Sequence, residues 1–162
     1  MSKKIARNRW FIVLTFLIAL MLDVLPLPGW VIWLRPQWTL LVLIYWVMAL
    51  PSAVGIISAF SVGILLDLLN NTLLGEHAFA MVIIAYVVIK LHKLIRVYPL
   101  LQQMLVVFVF VLLYQLIIFG IQGIIGQLPH TFLYWLTVFI STILWPWVFV
   151  LLRDCRRRFY IN

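Results

Sequence analysis

The sequence predicts an all-α polytopic membrane bundle of six transmembrane helices with both termini in the cytoplasm. Three observations predict it. The chain has 162 residues, 67% of them hydrophobic and 10% charged, and a mean hydropathy of +1.19. A soluble domain of this length cannot hide so much apolar surface, so the bilayer is its solvent. Eleven of the twelve basic residues fall in three clusters: Lys3, Lys4, Arg7 and Arg9; Lys90, Lys93 and Arg96; Arg153, Arg156, Arg157 and Arg158. Cationic clusters beside apolar runs mark the cytoplasmic face. The chain must then cross an even number of times between one cluster and the next.

A membrane helix needs roughly 20 apolar residues. The first span, 10–26, starts inside. Residues 27–36 form a proline-rich outer link holding Trp30 and Trp33, which suit the interface. The second span, 38–50, is short and is expected to borrow a turn at one end. Pro51 and Ser52 make a tight inner break, because proline ends one helix and starts another well. The third span is 52–69. Asn70, Asn71 and Thr72 are turn formers on the outer side. The fourth span, 74–89, runs into the middle basic cluster, treated as a loop ending at Pro99. The fifth is 100–125, the sixth 132–152, and residues 126–130 link them outside. Merging spans two and three would give a helix far longer than a bilayer needs, with Pro51 inside it. The whole of 1–162 reads as one integral membrane domain. The N-terminus lacks a small-x-small cleavage pattern, so the first span is expected to stay uncleaved.

The acidic residues closest to the hydrocarbon are Asp23 and Asp67, each near the outer end of an odd-numbered span. The helix dipole is negative there, so each carboxylate needs a cation, a proton or water. Arg35 is the one basic residue predicted outside, and pairing of Arg35 with Asp67 or Asp23 is expected; the alternative is that both carboxylates reach outer-leaflet water. Gly55, Ala59, Gly63 and Asp67 recur every four residues and share one face of span three, where small side chains admit a neighbouring helix closely. Gly120, Gly123 and Gly126 make the outer end of span five flexible or closely packed, and Pro146 is expected to kink span six. His77 beside Glu76 reads as a solvated pair.

Several classes of function find no support in the residues. There is no nucleotide-binding loop, nucleophile elbow, zinc motif or nucleic-acid motif. No catalytic, cofactor-binding or metal-binding residues are expected, and no histidine is seen to pair with a carboxylate in a catalytic constellation. A single cysteine, Cys155, allows no internal disulfide. The basic residues Lys90, Lys93, Arg96, Arg156, Arg157 and Arg158 are candidate contacts for anionic membrane lipid or an acidic cytoplasmic partner.

Three segments carry a family resemblance. The run Arg35-Pro36-Gln37-Trp38, through Tyr45-Trp46 to Ala49-Leu50-Pro51, resembles the second-span region of the MreD family of rod shape-determining membrane proteins. The stretch from Gly63 through Asp67 to Gly75 is similar to that family's GxxxD…LG pattern, and Leu144-Trp145-Pro146-Trp147 resembles its proteobacterial branch. The resemblance implies a non-catalytic component of the bacterial inner-membrane elongation machinery. It would scaffold lateral peptidoglycan synthesis with MreC-like and MreB-like proteins, RodZ, and a polymerase and transpeptidase. The family's likeness to vitamin-transporter subunits keeps a second expectation open: a small-molecule transporter or its substrate-binding subunit, using an outer pocket rimmed by Asp23, Arg35, Asp67 and Glu76. An enzyme acting on lipid-linked sugars is the third.

Overall fold

In hydrocarbon the backbone has no hydrogen-bond partner but itself, and runs of leucine, isoleucine, valine and phenylalanine answer that constraint by coiling. The computed structural model describes residues 9–159. Among them the chain forms six α-helices: α1 (Arg9–Val24), α2 (Trp38–Ala49), α3 (Ile56–Asn70), α4 (Glu76–Val97), α5 (Leu100–Ile125) and α6 (Leu136–Arg158). Short 3-10 turns at Ile32–Leu34 and Phe132–Trp135 precede α2 and α6. Lys3, Lys4 and Arg7 of the first basic cluster lie outside the described residues.

Four segments are long and apolar enough to cross a membrane: Ile32–Ala49, Glu76–Val97, Leu100–Ile125 and Phe132–Arg158. Within the described residues α1 has 16 residues and α3 has 15. Several helix boundaries differ from those expected. The turn after Pro51 is longer, and α3 begins at Ile56. Helix α4 continues through Lys90, Lys93 and Arg96 to Val97, so the middle cluster is helical rather than a loop. Its stop comes from Pro99, whose ring disfavours helix in the residue before it. Helix α6 runs through Pro146 and carries Arg153, Arg156, Arg157 and Arg158 on its last turns.

Helix α2 lies at the centre. Every residue from Thr39 to Ala49 is buried, because α1, α4 and α6 pack around it. Its 12 residues span about 18 Å, well short of the roughly 30 Å hydrocarbon layer. The 3-10 turn Ile32–Leu34 before it, with Arg35, Pro36 and Gln37 between, extends the membrane-capable segment to Ile32–Ala49. A helix walled by protein has no need to match the lipid. By contrast α1 buries one stripe, Phe11, Ile12, Phe16, Ala19 and Leu20, and exposes Val13, Leu17 and Met21. That is the pattern of a helix with one face on protein and one on lipid.

Helix α3 packs on α4, and α5 on α4 and α6. Backbone approaches backbone closely at Gly63, where a Cβ would collide with the main chain of Ala78. Ala59 and Asp67 are fully buried on the same face. The small-residue stripe is therefore an internal α3–α4 contact. Gly55 departs from it: it is the half-buried residue before the first turn of α3, with only Pro51 O near a would-be Cβ.

Contacts at the helix ends fix their directions. Phe11 at the start of α1 stacks on Phe159 just past α6, centroids 4.7 Å apart. Arg96 at the end of α4 reaches the last carbonyls of α2. At the other end, Gln37 N–H donates to Ser141 Oγ at 3.0 Å. The described members of all three basic clusters thus gather at one end of the bundle, the basic end. Asp23, Arg35 and Asp67 gather at the opposite end.

Candidate functional site

Two buried aspartates do the same structural task. Asp23, 7% exposed, sits at the end of α1. Its carboxylate accepts hydrogen bonds from the N–H groups of Trp38 (3.0 Å) and Thr39 (2.8 Å), the first residues of α2. Asp67, fully buried near the end of α3, accepts from the N–H groups of Gly75 (2.8 Å) and His77 (2.9 Å), at the start of α4. Each carboxylate closes one helix and caps the next. The first N–H groups of a helix have no internal partner, and a carboxylate there also meets the positive end of the dipole. The unfavourable field of the aspartate's own helix is offset by the favourable field of the following one.

Asp67 has further partners. His77 Nδ1 lies 2.7 Å from its Oδ1, and the Thr72 hydroxyl donates to the same oxygen at 3.1 Å. A carboxylate only accepts, so the imidazole carries a proton on Nδ1. Histidine and carboxylate are therefore paired, contrary to the sequence expectation, and Glu76 does not join His77 in a solvated pair. Glu76 is 4% exposed and accepts from Gln122 Nε2 on α5 at 2.8 Å.

The expected pairing of Arg35 with a carboxylate is replaced by another contact. The Arg35 guanidinium donates to the main-chain carbonyls of Asp23 and Leu25, at the end of α1. The reason is geometric: the amides of Trp38 and Thr39 already hold the Asp23 carboxylate, while the terminal carbonyls of α1 lack partners. A guanidinium fork satisfies two of them. Asp67 is committed to α4 and gives Arg35 no hydrogen bond.

Between these groups lies a cavity of about 240 Å³. Asp23, Arg35, Gln37, His77, Tyr114 and Gln122 are among its lining residues. The expected rim residues Asp67 and Glu76 stand behind it, each reaching the lining through the side chain it holds, His77 and Gln122. Sequence reasoning missed Gln37, Gln115 and Ser141, which join α2 to α5 and α6 by hydrogen bonds. The available signal was glutamine inside otherwise apolar helices, since a buried amide needs a partner.

The basic end is divided. Arg96 Nε donates to Met48 O at 2.9 Å and its Nη2 to Ala49 O, so Arg96 caps α2 while remaining exposed. Lys90 lies over the Tyr86 ring at 5.0 Å. Lys93, Arg157 and Arg158 are exposed, and Arg156 is half-buried.

A family model described as rod shape-determining protein MreD matches residues 4–155. The chain belongs to the MreD family. It is 38% identical over 154 residues to the rod shape-determining protein MreD of Haemophilus influenzae, covering 93% of each chain. No solved structure matches it. In this MreD-family chain the segment from Gly63 to Gly75 has a physical reading. Gly63 lets α3 touch α4, Asp67 supplies the carboxylate, and Gly75, at φ +100°, turns its N–H toward that carboxylate. A side chain at Gly75 would strain a left-handed backbone.

Proposed function

We propose that this protein is a non-catalytic component of the bacterial cell-elongation machinery, held in the inner membrane by six spans with both termini in the cytoplasm. Its work is to maintain rod shape by scaffolding MreC-like and MreB-like proteins, RodZ and the lateral-wall polymerase and transpeptidase. The observation that carries the reading is the family match across nearly the whole chain. The geometry supports it in two ways. Both aspartates are engaged in joining helices. The exposed apolar faces of α1, α3, α5 and α6 are suited to lipid and to single-span partners, where packing rather than hydrophobic burial drives association. Gathering of the basic residues at one end supports a cytoplasmic placement of that end.

Depletion of the protein in a rod-shaped host tests the reading. Cells are expected to round up as lateral wall synthesis fails, and re-expression is expected to restore rods. Depleted cells that stay rod-shaped with normal lateral growth would overturn it. Site-specific crosslinking along α3 and around Lys93 then identifies which partners touch which face.

A further inference from the structure

We infer that the cavity at the end opposite the basic clusters is a binding site for a single neutral sugar ring. Its shape sets the size. About 240 Å³ is below the roughly 300–1,000 Å³ of clefts that hold drug-sized ligands, and suits one ring with its substituents. Its chemistry sets the class. Tyr114, 2% exposed, lines the cavity, and its hydroxyl makes no hydrogen bond to the protein among the described residues. Its oxygen is open to the cavity, where a ligand hydroxyl can meet it. His77 also lines the cavity, and with Nδ1 turned to Asp67 its Nε2 is the ring nitrogen left for a ligand. On the neighbouring wall Gln37 Oε1 and Arg35 Nε have no hydrogen-bond partner either, but both atoms are closed off, and a ligand reaches them only if those side chains turn. Donors and acceptors are therefore mixed, as hydroxyl groups require, since each hydroxyl both gives and receives.

Charge excludes the ionic alternatives. Three carboxylates, Asp23, Asp67 and Glu76, surround the space against one guanidinium, so an anion is repelled. Each carboxylate is already held, by helix amides or by Gln122. A cation would have to pull one from its partners. What remains is a neutral ligand with a polar edge and an apolar face. Leu40, Leu66, Met81 and Ile118 offer an apolar surface and Trp33 an indole. Sugar rings present C–H faces to such surfaces and hydroxyls to polar walls.

The test uses the full-length protein in lipid nanodiscs with saturation-transfer NMR. One arm offers soluble methyl β-glucoside and N-acetylglucosamine; the other offers glucosyl-diacylglycerol in the disc, so a free ring is distinguished from one carried by a lipid. Saturable binding in either arm is expected, weakened about fivefold by Tyr114→Phe, which removes one neutral hydrogen bond. Trp33→Ala is expected to weaken it as well. Gln102→Ala, exposed at the start of α5, leaves it unchanged. Unfolding transitions of the variants establish that each is folded. No saturable binding of either neutral sugar in either arm would overturn the inference. So would equal affinity in folded Tyr114→Phe and Trp33→Ala, or a preference for glucuronate or glucosamine. The rod-shape reading stands or falls separately, by depletion.

Discussion

Asp67 belongs to α4 as much as to α3. Its carboxylate meets three helix-start amides, a threonine hydroxyl and an imidazole. Asp67→Ala leaves the start of α4 uncapped inside the protein and is expected to lower stability by about 1–3 kcal/mol. Asp67→Asn keeps one acceptor oxygen and is expected to lose less; reversible unfolding in bicelles measures both. Gly63→Ala drives a Cβ into the α4 backbone, which cannot rotate away as a side chain could. It is expected to cost about 1–3 kcal/mol by overpacking. Gly120→Ala meets nothing within 4 Å, and its stability is expected to hold or rise by up to about 1 kcal/mol. Equal destabilisation by the two alanines would refute the close α3–α4 contact. The four-residue spacing in the sequence put Asp67 on a packed face. Its partner His77 was hidden, because ten positions of separation become 2.7 Å only through the turn that Asn71 and Gly75 make.

Helix α2 is bracketed by charges from other helices. Asp23 of α1 holds its positive end, and Arg96 of α4 holds its negative end. Both signs agree with the helix dipole. Arg96→Ala is therefore expected to lower the melting temperature in detergent, and Arg96→Lys to fall between, since an ammonium lacks the fork that reaches Met48 and Ala49 together. Lys93→Ala, an exposed neighbour on the same helix, is expected to melt like the parent. If Lys93→Ala and Arg96→Ala melted alike, the cap would carry no weight. Hydropathy located α2 and even its shortness, but the reason for that shortness was not legible. A run of apolar residues reads the same whether lipid or protein surrounds it. Only packing shows that α2 has three protein neighbours while α1 keeps an exposed apolar face. The capping arginine was equally hidden among residues that also serve as topology signals.

At the scale of the molecule the charge pattern was the most informative part of the sequence. It put the middle cluster and the tail on one side, and in the structure Arg9, Arg96 and Arg153 occupy one end of the bundle. Reporter fusions are expected to place residues near Lys93 in the cytoplasm and those near Asn71 and Gln127 outside. A periplasmic signal near Lys93 would break the proposed six-span topology. The cavity was only partly legible: Asp23 and Arg35 were foreseen, whereas Tyr114 and Gln122 come from a helix more than forty residues further on. Central burial of α2 also bears on how the protein is made. The ribosome delivers α2 second, yet two of its walls, α4 and α6, and its closing arginine arrive later. Until then the second helix lacks those walls and its last carbonyls lack the arginine. Final packing of the second helix thus waits on synthesis of the last.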